Sequence, residues 1–276
     1  MIKLKKIQPL LRVLLVSFLS GVLSTAHASQ SLHIAVASNF LATLKTLSKN
    51  FTQQTGIKVH LSNGASGMLY TKILKGAPYD LFFSADVLRP QLLEQQGLIE
   101  TGSRFTYVTG RLVAWSPDEN GLAADLSKLD SKDKRLRFIA IANPKTAPYG
   151  AAAITVLKHY GLYHSLSSQN KIALGESVGK AYQYLATGNA QIGLIAKSYV
   201  VNPNRIHKGS VFDIPTNLYP KLAQQAVVLK GRESVEVKSF LKFLLSDKVQ
   251  KQIQDFGYGA GDKIGTHQVL NLEDRE

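Results

Sequence analysis

The chain of 276 residues contains no cysteine. That absence excludes disulfides, thiolate metal sites and thiol nucleophiles, and it excludes a lipid-modified cysteine behind the N-terminal apolar run. Acids are scarce as well: 19 Asp and Glu stand against 33 Lys and Arg, for a formal charge of +14. Beyond the N-terminus no segment is long and apolar enough to span a bilayer. The histidines His33, His60, His159, His164 and His207 show no His-Glu-x-x-His or comparable spacing, so neither a metal centre nor a cofactor is expected. An exported chain with these deficits must hold itself together by an ordinary apolar core.

What is present begins with a basic stretch, Lys3, Lys5, Lys6 and Arg12, without any acid. An apolar run over residues 13–23 and the small-residue pattern Ala26-His27-Ala28 follow, the order of a secretory signal. Residues 1–28 are therefore expected to be removed and the mature protein to be periplasmic. The four cations leave with the signal, lowering +14 to +10 over the remaining 248 residues. A basic chain suits nucleic acid, an anionic membrane or a small anion. Here the cations are scattered, and the densest group, residues 128–137, also holds Asp130 and Asp133. No nucleic-acid partner is expected; a basic solvated surface that also steers anions is.

Strand-like and helical patterns alternate along the chain. Residues 32–37, 57–61 and 80–84 read as strands, and residues 40–54, 67–75 and 87–96 as helices, the first closed by Gly56. After a strand at 111–115 the pattern restarts, with strands at 138–141, 171–174, 192–195 and 225–229. Helices are expected at 150–160, 178–187, 235–245 and 248–256. Two such arrays predict an α/β protein of two lobes, each a mainly parallel sheet flanked by helices. The tail after Gly259 is polar and is expected to be peripheral.

In open α/β sheets ligands sit beyond the carboxyl ends of strands, where helices begin. Four strand-to-helix turns are notable: Ala37-Ser38-Asn39, Asn63-Gly64-Ala65-Ser66-Gly67, Thr146-Ala147-Pro148-Tyr149-Gly150 and Gly175-Glu176-Ser177-Val178-Gly179. A helix start carries unpaired N–H groups and partial positive charge, so several aimed at one point can hold an anion without Lys or Arg. None of the four carries a cation at its tip, and Glu176 is the one acid among them. A fully ionised oxyanion wants donors only, whereas a protonated one also wants an acceptor carboxylate. Each turn alone has an ordinary alternative: Ser38 and Ser66 as N-caps, Tyr149 as a surface aromatic, Val178 as core.

These turns resemble those of the periplasmic molybdate-binding proteins of ABC transporters. The most specific segment is Gly76-Ala77-Pro78-Tyr79-Asp80-Leu81-Phe82-Phe83-Ser84-Ala85-Asp86, similar to that family's GAPxDLFxSAD signature. Ala35-Val36-Ala37-Ser38, Ala65-Ser66-Gly67, the segment from Asn143 to Gly150 and Glu176-Ser177-Val178 match its ligand turns. The resemblance implies a type II clamshell, with residues 29–110 and 225–276 in one lobe and 111–224 in the other. The crossings would lie near 110–112 and 222–226. It implies that Ser38 and Ser66 donate hydroxyl and backbone N–H bonds and that Tyr149 and Val178 donate backbone N–H bonds, with Asn39 as a further donor. The implied cargo is molybdate, with tungstate, handed as a small oxyanion to a membrane ABC permease by a monomer.

One departure stands out. Some members carry a ligating Tyr after the strand that here ends Gly193-Leu194-Ile195, where this chain has Ala196 and then Lys197. Sulfate, thiosulfate, phosphate or a small organic anion therefore remain alternative ligands. A secreted serine hydrolase using Ser38 or Ser66 lacks both a GxSxG elbow and an evident His or acid partner. Iron capture would need clustered tyrosines, and Tyr182, Tyr184 and Tyr199 form no recognisable pair by spacing. Asp80 and Asp86 read as structural, Asp86 as a helix cap, and Trp115 as core or hinge.

Overall fold

The computed structural model describes residues 31–118, 122, 124–201, 203 and 208–261. The expected signal over residues 1–28, His207 and the end of the tail lie outside these residues. Strand β1 (Ser31–Ala37) runs into a 3-10 turn (Ser38–Phe40) and helix α1 (Leu41–Thr55), followed by β2 (Lys58–Gly64), α2 (Ser66–Leu74), β3 (Leu81–Phe83) and α3 (Leu88–Gln95). Gly56 ends α1 in the left-handed region, φ 76°, and donates its N–H to the Thr52 carbonyl at 2.9 Å, a backbone state few other residues accept. Next come β4 (Phe105–Gly110), β5 (Leu112–Ser116), β6 (Ile139–Ala142), α4 (Pro148–His159), α5 (Leu162–Ser168), β7 (Ile172–Gly175), α6 (Val178–Ala186), β8 (Ile192–Ala196) and β9 (Ser210–Asp213). The described chain closes with β10 (Leu222–Val228), α7 (Val235–Leu245), α8 (Asp247–Asp255) and β11 (Gly259–Ala260).

The strands form two sheets, ordered β11-β4-β10-β3-β1-β2 and β7-β6-β8-β5-β9. Each has a parallel part, β3-β1-β2 and β7-β6-β8, built by the βαβ repeats legible in the sequence. Each also has an antiparallel part, so the sheets are mixed. Apart from β11, the antiparallel pairings involve the strands that carry the chain between lobes or return it, where no crossover helix intervenes. β4 and β9 follow no strong apolar alternation and were not expected; β11 draws the start of the tail into the first sheet by pairing with β4. Only Arg111 separates β4 in the first sheet from β5 in the second. The chain comes back between Asp213 and Leu222, and Leu222 already pairs with Gly110, so the return precedes Gln225 by a few residues.

Register sets the site. Ala37 pairs with Gly64 at the last rung of β1 and β2, so both strands release their helices at one level. Ala142 pairs with Gly175 in the same way in the second sheet. Behind the first pair, α1, α7 and α8 cover one sheet face through Leu32, Ile34, Val36, Phe51, Phe83 and Phe240, while α2 and α3 cover the other through Leu69, Ile73 and Leu93. The core of the second lobe is continuous with Ala37, Ala65 and Ala85 of the first, so the two lobes are in contact.

Phe240 has no exposed surface and meets Phe51 edge-on at 5.1 Å and Phe83 at 6.5 Å. Phe240→Ala is expected to cost about 3–5 kcal/mol, from lost burial plus the cavity left behind. Urea unfolding will report it as a lower midpoint at unchanged slope.

Candidate functional site

Four strand-to-helix turns, with Ala85 beside them, meet between the lobes around a small cavity lined by Ala37, Ser38, Asn39, Gly64, Ala65, Ser66, Ala85, Ala147, Pro148, Tyr149, Ser177 and Val178. No charged residue lines it. The five residues expected at the site, Ser38, Asn39, Ser66, Tyr149 and Val178, are all brought to it, and all are at least nine-tenths buried.

The helix starts explain what such a cavity holds. Ser38 and Ser66 are not N-caps but the first residues of their turns; the caps are Ala37 and Ala65, in extended backbone. The cap of α4 is Ala147, with Pro148 in the first turn and Tyr149 next to it. Alanine is a poor N-cap because it offers no side-chain acceptor. Consistently, none of these three starts has a side-chain cap hydrogen bond. The fourth start, α6, is capped by Ser177, whose Oγ accepts from the Lys180 N–H at 3.3 Å, and Val178 opens the helix. First-turn N–H groups lack intrahelical acceptors, and buried ones need an outside partner.

The side chains add donors of the same sense. Ser66 Oγ accepts the Ala85 N–H at 2.9 Å, so its own proton is left to point elsewhere. Ser38 Oγ is buried and has no protein partner among the described residues. Behind the site, Tyr199 donates to the Ser38 carbonyl at 2.8 Å, and Ser198 and Tyr258 donate to the Asn39 carbonyl at 2.9 and 2.6 Å. These bonds occupy carbonyl oxygens that would repel an anion and polarise the N–H groups of the same peptide units. Asn39 turns its amide nitrogen to Gln224 Oε1 at 2.8 Å, away from a direct side-chain role, while its backbone stays in the lining.

The other candidates are engaged elsewhere. Lys197 pairs with Asp213 at 2.7 Å, and Glu176 lines a separate groove between the lobes rather than this cavity. Asp80 accepts the His33 N–H at 2.7 Å, and Asp86 accepts from Ser84 Oγ and the Arg89 N–H and pairs with the Arg89 side chain. Trp115 is buried in the second lobe and stacks on Tyr182, which stacks on Tyr199 at 4.6 Å. Tyr182 and Tyr199 thus do come together, but Tyr199 donates its proton and burial holds its pKa far above the usual phenol range, the opposite of a phenolate ligand for iron. Among the described residues no group of His, Asp or Glu is arranged to hold a metal ion. Direct contacts span the cleft: Gly67 donates its N–H to the Thr146 carbonyl at 3.0 Å, and a side-chain Cβ at Gly67 would crowd that residue. The lobes are closed over the cavity.

The model of the bacterial extracellular solute-binding proteins matches residues 32–259. The chain belongs to that family. It is a binding protein, not an enzyme. It is 40% identical over 229 residues to the molybdate-binding protein ModA of Rhodobacter capsulatus, covering 81% of this chain and 86% of that one. It is 38% identical over 247 residues to ModA of Azotobacter vinelandii, covering 89% and 96%. A solved structure, the periplasmic molybdate-binding protein of Azotobacter vinelandii, superposes with a TM-score of 0.76 at 37% identity, covering 82% of this chain and 98% of that one. The solute-binding fold and its two lobes, read from the alternating pattern and the resemblance, are therefore established. Ser198, Tyr199, Gln224 and Tyr258 around the site were not anticipated. The recurrent Ala one residue before each of three helix starts is the sequence signal that was available.

Burial raises the pKa of Tyr258, to about 12 against an ordinary 10.0, and raises those of Tyr107 and Tyr149 as well. The unfolded chain releases these protons first, so stability is full below pH 10 and falls as pH rises towards 12. Each such tyrosine contributes a slope of about 1.4 kcal/mol per pH unit in that window. Denaturant titrations at alkaline pH are expected to show the fall, and Tyr258→Phe to reduce its slope by one proton's worth.

Proposed function

We propose that this protein captures a fully ionised tetrahedral oxyanion in the periplasm, molybdate first and tungstate with it, and passes it to a membrane ABC permease. The anion is cargo and not a cofactor. The signal over residues 1–28 directs export, and the mature chain works as a monomer whose lobes close on the ion. The observation that carries this reading is a cavity lined without any charged group: three helix starts capped by alanine, a fourth beside them, and two serine hydroxyls with protons to give. An oxyanion without protons needs no acceptor, and the lining supplies no carboxylate. The molybdate-binding relatives match over most of the chain and point the same way.

Sulfate, thiosulfate, phosphate or a small organic anion is the second reading, motivated by Ala196. That residue is fully buried at the end of β8 and offers no hydroxyl. Ser38, Ser66 and the first-turn N–H groups would then form the whole donor set, which a smaller anion fits less completely.

Thermal unfolding of the mature protein with each anion separates the readings. Ligand at about 100 times Kd adds roughly 2.7 kcal/mol and a clear rise in Tm. A rise with molybdate and tungstate alone supports the proposal; a rise only with sulfate, thiosulfate or phosphate transfers the assignment to that ion. Ser66→Ala is expected to weaken molybdate binding by about 1–3 kcal/mol, the loss of one hydrogen bond to a charged group, measured by titration calorimetry. Unchanged affinity removes Ser66 from the ligand set. The only titratable group in the lining is Tyr149, and its pKa is raised. Affinity is therefore expected to stay flat between about pH 6 and 9, where histidine is the ordinary titrating side chain.

A further inference from the structure

We propose that Gln224 is the positioning residue that sets the width of the oxyanion cavity, by holding one ligand turn from each lobe on a single buried amide. The inference rests on the functional reading above and deepens it. Gln224 lies on β10, where the chain returns to the first sheet, and has no exposed surface. The β10–β4 register shifts between Gln224 and Gln225, an irregularity of the kind that re-aims a side chain.

The amide of Gln224 serves both lobes at once. Its Oε1 accepts from Asn39 Nδ2 at 2.8 Å, in the turn that opens α1, and from the Tyr107 hydroxyl at 2.9 Å. Its Nε2 donates to the Tyr149 hydroxyl at 3.1 Å, in the first turn of α4 in the second lobe. Both Oε1 lone pairs are thus filled. Asn39 and Tyr149 each line the cavity, and Gln224 does not. Gly110, at the other crossing between lobes, makes room for the arrangement: a Cβ there would collide with the Tyr149 hydroxyl and with Gln224 Nε2. Gln224 touches no ligand position itself. It fixes the separation of two donor turns, and that separation decides which radius of tetrahedral anion meets all the donors.

The readout that distinguishes positioning from plain structural support is selectivity. A destabilised fold lowers every apparent affinity by the same fraction and leaves the ratio between two ligands unchanged. The mature protein, Gln224→Met, Tyr149→Phe and the double variant are titrated with molybdate, and with sulfate by competition. Gln224→Met keeps the volume and loses the amide; Tyr149→Phe keeps ring and backbone and loses one end of the same bond. Gln224→Met is expected to lower molybdate affinity roughly ten- to a hundredfold and to narrow the molybdate-to-sulfate ratio by about tenfold, as loss of buried hydrogen bonds to a ligand turn would. Tyr149→Phe narrows the ratio in the same direction. The double variant loses less than the two single effects combined, because both remove one shared bond. Ratios within about twofold of wild type in both single variants, or fully additive losses, overturn the inference. If Gln224→Met does not fold, the ratio in Tyr149→Phe decides alone. A wild-type chain that binds neither ion overturns the functional reading and this inference together; a binding wild type with unchanged ratios in the variants overturns the inference only.

Discussion

Everything at the site depends on backbone N–H groups at buried helix starts that lack a side-chain acceptor. A buried amide N–H without a partner costs about as much as a lost hydrogen bond, so a fold that leaves several of them facing one point is incomplete without an acceptor there. Ala37, Ala65 and Ala147 create that condition by occupying the positions where Ser, Thr, Asp or Asn would have satisfied the helix from within. The contrast with α7 is instructive. Ser234 caps that helix through the Val237 N–H at 3.3 Å, far from the cavity, as helices ordinarily do. At the cavity only α6 is capped in that way, by Ser177.

The groups behind the first turns extend this logic. A peptide carbonyl next to an anion is repulsive, and the carbonyls of Ser38 and Asn39 are both held by hydroxyl donors from Tyr199, Ser198 and Tyr258. Two of those hydroxyls come from the second lobe and one from the C-terminal end of the first. The turn that opens α1 is therefore gripped from both sides when the lobes are closed. Contact between the lobes thereby completes the hydrogen bonding of both carbonyls. Gly67 and Gly179 permit the approach, since a Cβ at the first would press on Thr146 and at the second on Tyr199 and Ser38.

The sequence made the parallel halves of the two sheets legible, because βαβ units combine period-2 apolar runs with 3.6-residue helical spacing and glycine stops such as Gly56. The four site turns followed from their place after those strands. What stayed hidden belongs to long-range pairing. β4, β9 and β11 are short or irregular and take their identity from antiparallel partners distant in the chain. Gln224 lies 185 residues from Asn39 and 75 from Tyr149, and no local pattern distinguishes it from Gln225. Taken singly, Ser38 and Ser66 could not be told from ordinary caps, because Ser at a helix start usually is one. The residue before each carried the information, and alanine is seldom noticed for what it fails to do.

Charge enters this molecule at two ranges, and they are kept apart. Over the whole chain 33 cations exceed 19 acids, yet none of the residues lining the cavity is charged. A lysine in the site would attract any anion strongly and, on its flexible stem, would follow anions of different size. Backbone N–H groups on rigid helices cannot follow: each is fixed by its own helix, and a mismatched oxygen leaves it unsatisfied. Excess basic surface can raise the local concentration of anions without distinguishing them. On the function proposed above, discrimination would fall to dipoles at fixed separations, held there by buried neutral groups such as the Gln224 amide and not by the many lysines.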